Sequence, residues 1–241
     1  MKADTCSVLL VKYPEKGKVK ARLLRQIEGD LVVELYRNFV LDMVSMLDRS
    51  GIPYIIGYRP ERALKGFEKW LGFGHTYLPQ RGRGMGRMLK NIFIDTYSRG
   101  FRRVIVMASD CPDLPEEILK EAIIALEDHG AVVGPSPDGG YYLIGFAQEF
   151  FSPKTFEAVT WGTAKVFKET ISKLKDQGQR IHILPEWSDV DTLTDVQDLF
   201  ERNRDSKFNS SKTMRMLHVQ SRLWFCSEAN NKQLDQIRHQ S

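Results

Sequence analysis

An acid follows the clearest strand pattern in the chain. In "VIVMASDCPDL" (104–114) a run of β-branched and large apolar residues ends in Ala-Ser-Asp-Cys-Pro, so Asp110 stands at the mouth of what reads as a buried strand. A buried strand needs no acid at its end. A hard divalent cation such as Mg²⁺ or Mn²⁺ does, because it is held by one or two carboxylates together with phosphate oxygens. Asp189 and Asp191, in "WSDVDTLTD" (187–195), follow another apolar run one residue apart and could supply further carboxylates. Asp191-Thr192 also reads as a helix cap, and the two roles are compatible. Asp113 is expected to help start the helix that follows it. Cys111 has no histidine near it in sequence and reads as a buried thiol rather than a nucleophile.

Other loops hold residues suited to a nucleotide. Between Lys12 and Arg25 there are six basic residues and one acid, with Gly17 allowing a turn. Lys12, Lys20 and Arg22 suit a di- or triphosphate, Arg through its planar fork and Lys as a point charge. A solvated basic loop is the alternative, and no G-x-x-x-x-G-K-[ST] P-loop is present. In "QRGRGMGRML" (80–89) the glycines, Gly84 among them, let the backbone pass close to a flat ligand, with Gln80 placed to read a base edge. The spacing G-x-G-x-G is not a dinucleotide fingerprint. Asp138-Gly139-Gly140 reads as a tight turn between two strands, which hairpin chemistry alone explains. Trp161 could stack on a sugar or acceptor ring or cover the core, and Thr163 reads as the N-cap of the next helix.

These residues must be positioned by elements that alternate along the chain. Strands are expected at 6–14, 53–60, 75–80, 102–109, in "AVVGPSP", in "GYYLIGFA" and at 180–185. Helices are expected at 31–51, 61–72, 86–100, 115–130, 164–177 and 193–203. Alternation of this kind implies right-handed crossovers and a mostly parallel sheet, with ligands beyond the carboxyl ends of the strands. A single domain over residues 1–204 is expected, followed by a tail at 205–241 read as linker plus a possible helix or disorder.

The bulk composition narrows the function. The net charge is +4, but residues 205–241 hold six Lys/Arg against three Asp/Glu, so the first 204 residues carry only +1 and a nucleic-acid partner is not expected. No apolar run reaches a membrane span of about 18 residues. Three scattered cysteines, Cys6, Cys111 and Cys226, fit reduced thiols and a cytoplasmic location.

"KVKARL", "MASDCPDL", "GPSPDGGYYLIG", "WGTAKVF" and "DVDT" occur in this order. Together they resemble the selenodomain-associated glycosyltransferase-like family, which is similar to the molybdenum-cofactor and phospholactate guanylyltransferases. The resemblance implies an α/β, Rossmann-like three-layer sandwich of the nucleotide-diphospho-sugar transferase (GT-A) type. It implies Asp110 as metal ligand with Asp189 or Asp191 as the second carboxylate. Lys12, Lys20 and Arg22 would then lie at the donor phosphates, and Gln80 with Gly84 at the base. Ala21, Ala108 and Arg83-Gly84-Met85-Gly86 depart from the family's usual residues.

Three functions follow as expectations. The first is a metal-dependent glycosyltransferase that uses a nucleotide-sugar and a small-molecule acceptor. The second is a nucleotidyltransferase that releases pyrophosphate, which the basic residues of the first loop suit. The third is a nucleotide-binding module without catalysis.

Overall fold

The computed structural model describes residues 4–221 and Trp224. Two compact units divide the chain: one runs through Tyr13 and then from Met43 to Asp189, the other comprises Pro14–Asp42 and the chain from Val190 onward. The boundary expected after residue 204 therefore falls inside the second unit.

The first unit carries one seven-stranded sheet. In chain order the strands are β1 (Thr5–Lys12), β2 (Tyr54–Arg59), β3 (Thr76–Pro79), β4 (Arg103–Ala108), β5 (Ala131–Pro135), β6 (Tyr141–Ala147) and β7 (Ile181–Ile183). Their order in the sheet is β3-β2-β1-β4-β6-β5-β7. All neighbours are parallel except β6, which is antiparallel to both β4 and β5. The fold is thus the mostly parallel α/β architecture that the alternation of elements implies.

Helices α2 (Leu64–Leu71), α3 (Met85–Tyr97), α4 (Glu116–Asp128) and α5 (Val166–Asp176) connect the strands of this unit. The two faces of the sheet follow from the period of two along each strand. Cys6, Val8, Val104, Val106, Ile144 and Phe146 point to the side where α3 buries Met88, Leu89, Ile92 and Phe93. Leu9, Val11, Ile105, Met107 and Leu143 alternate with them, are equally buried, and face the other way. Helix α4, with Pro115 at its N-cap and two glutamates in its first turn, packs on β4, β5 and β6.

The second unit contains most of α1 (Gly29–Ser50), all of α6 (Leu193–Asn203) and a further helix over residues 212–221. Val32, Leu35 and Phe39, one face of α1, share a core with Val196, Leu199, Met214, Leu217 and Trp224. The N-terminus of the 212–221 helix is capped across the chain: the backbone N–H groups of Lys212 and Thr213 donate to the two carboxylate oxygens of Asp42, at 2.9 and 2.8 Å. Of the linker, helix or disorder expected from residue 205 onward, residues 207–210 and 212–221 are helical, and the latter supply buried side chains. Cys226 and the rest of the expected tail lie outside the described residues. Among the described residues no helix is long and apolar enough to cross a membrane.

Candidate functional site

The parallel strands end on one edge of the first unit's sheet. Leu10 pairs with Ala108, so Lys12, the last residue of β1, and Asp110, two residues past β4, continue the same register. Between these strands the order of the sheet reverses, because the chain first builds β2 and β3 outward from β1 and then returns to add β4. Such a reversal is where open α/β sheets bind ligands. Because β6 runs the opposite way, its start and the preceding Asp138-Gly139-Gly140 turn also lie on this edge.

Asp189 reaches the edge by a longer route. Strand β7 is three strands from β4, roughly 14 Å at the usual spacing of about 4.8 Å. The segment after β7 turns back over the intervening strand ends and is fastened at each step. Leu184 N–H donates to the Val133 carbonyl (2.9 Å), and Trp187 N–H to the Pro135 carbonyl (3.1 Å), both on β5. Tyr142 of β6 donates its hydroxyl to the Pro185 carbonyl at 2.8 Å. Finally, the Trp187 indole N–H donates to Asp113 Oδ1 at 3.1 Å, in the loop that begins with Asp110. Asp113 lies two residues before Pro115, the N-cap of α4. It is buried and ties two loops together.

Hard carboxylate oxygens at an open sheet edge fit Mg²⁺ or Mn²⁺, which need only one or two of them. Among the described residues no group of three or more His, Cys, Asp or Glu forms an all-protein cage.

The remaining first-unit residues have structural partners. The Gln80 side-chain amide donates to the carbonyls of Gly57 (2.5 Å) and Val11 (3.3 Å), bridging β2 and β1, so only its carbonyl oxygen is left for a base. Gly84 caps α3 at φ +83°. Gly86 has no room for a Cβ, which would meet the Phe156 carbonyl and the Trp161 indole nitrogen. The turn before β6 is closed by Asp138 Oδ1, which accepts from Ser136 Oγ (2.6 Å) and Gly140 N–H (2.8 Å). Gly139 has φ +83°, and a Cβ there would collide with the Ala164 backbone. Gly139→Ala is therefore expected to destabilise the unit by about 1–3 kcal/mol in chemical denaturation.

Trp161 is half-buried, edge-on to Tyr141 and tilted against Phe156, with both ring centroids 6.4 Å away. Thr163 is not the N-cap of α5; Lys165 is. Thr163 Oγ1 donates to the Thr160 carbonyl and accepts from Lys165 N–H, forming a turn one step earlier. Thr160 is gripped in turn by the Glu169 carboxylate, through its backbone N–H at 2.7 Å and its hydroxyl at 2.9 Å. That N–H, then the hydroxyl and the charges of Lys165 and Lys173, outweigh desolvation and hold the Glu169 carboxyl below the ordinary glutamate range. A carboxyl depressed in the folded state contributes stability above its unfolded pKa and loses it as pH falls through the folded one. The emission difference between wild type and Trp161→Phe should therefore change with acid only below the usual glutamate value, and Glu169→Gln should lack that transition.

In the second unit, Lys20, Arg22 and Asp191 meet one another. Lys20 adopts φ +46°, its side chain is 2% exposed, and Nζ lies 3.0 Å from Asp191 Oδ1 and 5.7 Å from the centre of the Phe39 ring. Arg22 is exposed, with Nη1 3.7 Å from Asp191 Oδ2. Thr192 caps α6 through a reciprocal box with Asp195, whose Oδ2 also accepts the Asp191 N–H. Residues expected to serve phosphate and metal separately are thus paired, and the Lys20 ammonium is shielded from solvent. Sequence reading did not single out Ser136, Thr160, Glu169 or Trp187. Only Trp187, an aromatic among polar neighbours, carries any local signal.

A family model described as "Uncharacterized protein conserved in bacteria (DUF2064)" matches residues 42–163. A solved candidate nucleotide-diphospho-sugar transferase from Desulfovibrio desulfuricans G20 is 37% identical, with a TM-score of 0.89 over 92% of this chain and 96% of that one. Rv0371c from Mycobacterium tuberculosis H37Rv, solved with manganese, is 18% identical over 83% of this chain and 100% of that one, with a TM-score of 0.52. CMP:2-keto-3-deoxy-manno-octonic acid synthetase, solved with CTP, is 11% identical over 82% and 97%, with a TM-score of 0.51. These last two likenesses are of fold alone. No curated protein matches the chain significantly.

Proposed function

Since this chain belongs to the DUF2064 family, and shares its fold with a candidate nucleotide-diphospho-sugar transferase, we propose that it is a metal-dependent transferase acting on a nucleotide-activated donor. The observation that carries this reading is the return of the Asp189 loop across the sheet edge to the Asp110 loop at the point where strand order reverses. The narrower likeness to selenodomain-associated proteins rests on the sequence motifs.

Asp110 and Asp189 are the pair assigned to Mg²⁺ or Mn²⁺. Asp191 pairs with Lys20 and Arg22 in the second unit, and Asp189 is taken as the partner of Asp110 because it follows the segment fastened across the first unit's sheet edge. When bound, the cation neutralises charge on the leaving phosphates. Lys12, exposed at the end of β1, supports a donor phosphate from the same edge. The Gln80 carbonyl oxygen and the backbone at Gly84 are assigned to the base, and the Asp138–Gly140 turn to the wall of the donor site. Trp161, with the Thr163 turn beside it, is assigned to a small-molecule acceptor. In the second unit, Arg22 presents an exposed guanidinium suited to phosphate, and Lys20 serves Asp191.

Sugar transfer is the first reading. Nucleotidyl transfer is the second, favoured by the density of basic residues between Lys12 and Arg25, which suits a triphosphate. A thermal-shift screen of NTPs, NDPs and NDP-sugars, with and without Mn²⁺ or Mg²⁺, tests the site on wild type and Asp110→Asn. A metal-dependent rise in melting temperature that the variant lacks supports it; no shift with any nucleotide overturns it. Pyrophosphate release with the best ligand selects nucleotidyl transfer, and release of NDP or NMP selects sugar transfer. Binding without turnover, unaffected by Asp110→Asn, would instead indicate a non-catalytic module.

A further inference from the structure

We propose that Asp113 and Trp187 are a positioning pair that sets the separation of the Asp110 and Asp189 carboxylates. This inference rests on the reading of those two acids as the metal-binding pair and adds the device that makes them a pair. Strand order alone leaves their loops far apart, at the ends of strands with β6 and β5 between them. Carboxylates that share one cation must lie within a few ångströms of each other, since each oxygen sits about 2.0–2.1 Å from Mg²⁺.

Three of the fastenings along the returning segment reach only β5 and β6. The indole hydrogen bond to Asp113 goes further and reaches the loop after β4. Both partners are placed for this. Asp113 is 7% exposed, three residues beyond Asp110, in a turn closed by Leu114 N–H donating to the Cys111 carbonyl at 3.1 Å. Trp187 is two residues before Asp189, and its own N–H is anchored on Pro135. An indole is a donor only, so the bond has one polarity and Asp113 must accept. A half-buried, directional bond between two anchored groups fixes loop separation better than flexible ion pairs at the surface.

The test separates position from charge. Trp187→Phe keeps the ring and the Asp113 charge but removes the donor. Asp113→Asn removes the charge but keeps an acceptor oxygen, and Asp113→Ala removes both. Mn²⁺ binding is read by electron paramagnetic resonance, alone and with CTP, on variants whose folding is checked by near-ultraviolet circular dichroism. Trp187→Phe and Asp113→Ala should weaken Mn²⁺ binding roughly ten- to hundred-fold, as loss of a group that orients a metal ligand typically does. Asp113→Asn should stay close to wild type. Unchanged binding in Trp187→Phe, or a loss in Asp113→Asn as deep as in Asp113→Ala, overturns the inference while leaving the metal site standing. Should Asp113→Ala fail to fold, Trp187→Phe and Asp113→Asn decide the matter between them. Mn²⁺ that binds Asp110→Asn as well as wild type, or does not bind wild type, overturns the metal-site reading and this inference with it.

Discussion

Asp110→Asn is expected to lower turnover of the activated donor by about 10²–10³-fold, the usual loss when one preorganised electrostatic element is removed from a site where charge develops. The substitution is close to isosteric, and the acid stands in a loop beyond β4 rather than in the core, so the unfolding temperature should barely move. Rates should be measured with the donor that gives the largest thermal shift, following pyrophosphate and NDP separately. Asp189→Asn should resemble it. Asp191→Asn should not: its carboxylate lies 3.0 Å from the Nζ of Lys20, whose side chain is 2% exposed, and the variant removes that charge from beside a buried ammonium. Its principal effect is therefore expected on stability. Turnover by Asp110→Asn within a few-fold of wild type would remove the acid from the chemistry.

Phe93→Ala is expected to cost about 3–5 kcal/mol, or a fall of roughly 10 °C or more in melting temperature. Phe93 is fully buried on α3. It stacks on Phe151 and Phe156 at 5.1 and 5.8 Å and meets Phe146 edge-on at 5.2 Å. Truncation leaves a cavity walled by rigid rings that cannot collapse into it. Phe156 in turn packs against Trp161, so fluorescence of Trp161 should change in the folded variant as well. A loss below about 1 kcal/mol would mean that the cluster repacks, as adaptable cores do.

The strands and helices of the first unit could be read from the sequence because their signals are local. The apolar run of β4, the Pro115-Glu116-Glu117 start of α4 and the Asp138-Gly139-Gly140 turn each need only their neighbours. The acids at strand ends were legible for the same reason. Pairings were not. Asp113 and Trp187 are 74 residues apart, and Lys20 and Asp191 are 171 apart. Each has a plausible local role, helix start for Asp113 and phosphate contact for Lys20, that hides the distant one. The anchoring of residues 212–221 escaped for a further reason: the side chain that caps them, Asp42, belongs to α1, far earlier in the chain.

That last contact governs how the protein can be made. Residues 14–42 leave the ribosome early, yet the core they share with Met214, Leu217 and Trp224 is complete only about 180 residues later. At 5–20 residues per second, Val32, Leu35 and Phe39 wait roughly 10–35 s for their partners. Over that interval the nascent chain carries an apolar helix face whose early companions in that core, Leu23 and Ile27, precede it, while Val190, Leu193 and the later helices have yet to be made. Synthesis rate and chaperone supply, as much as sequence, therefore set how much of the chain reaches the folded state.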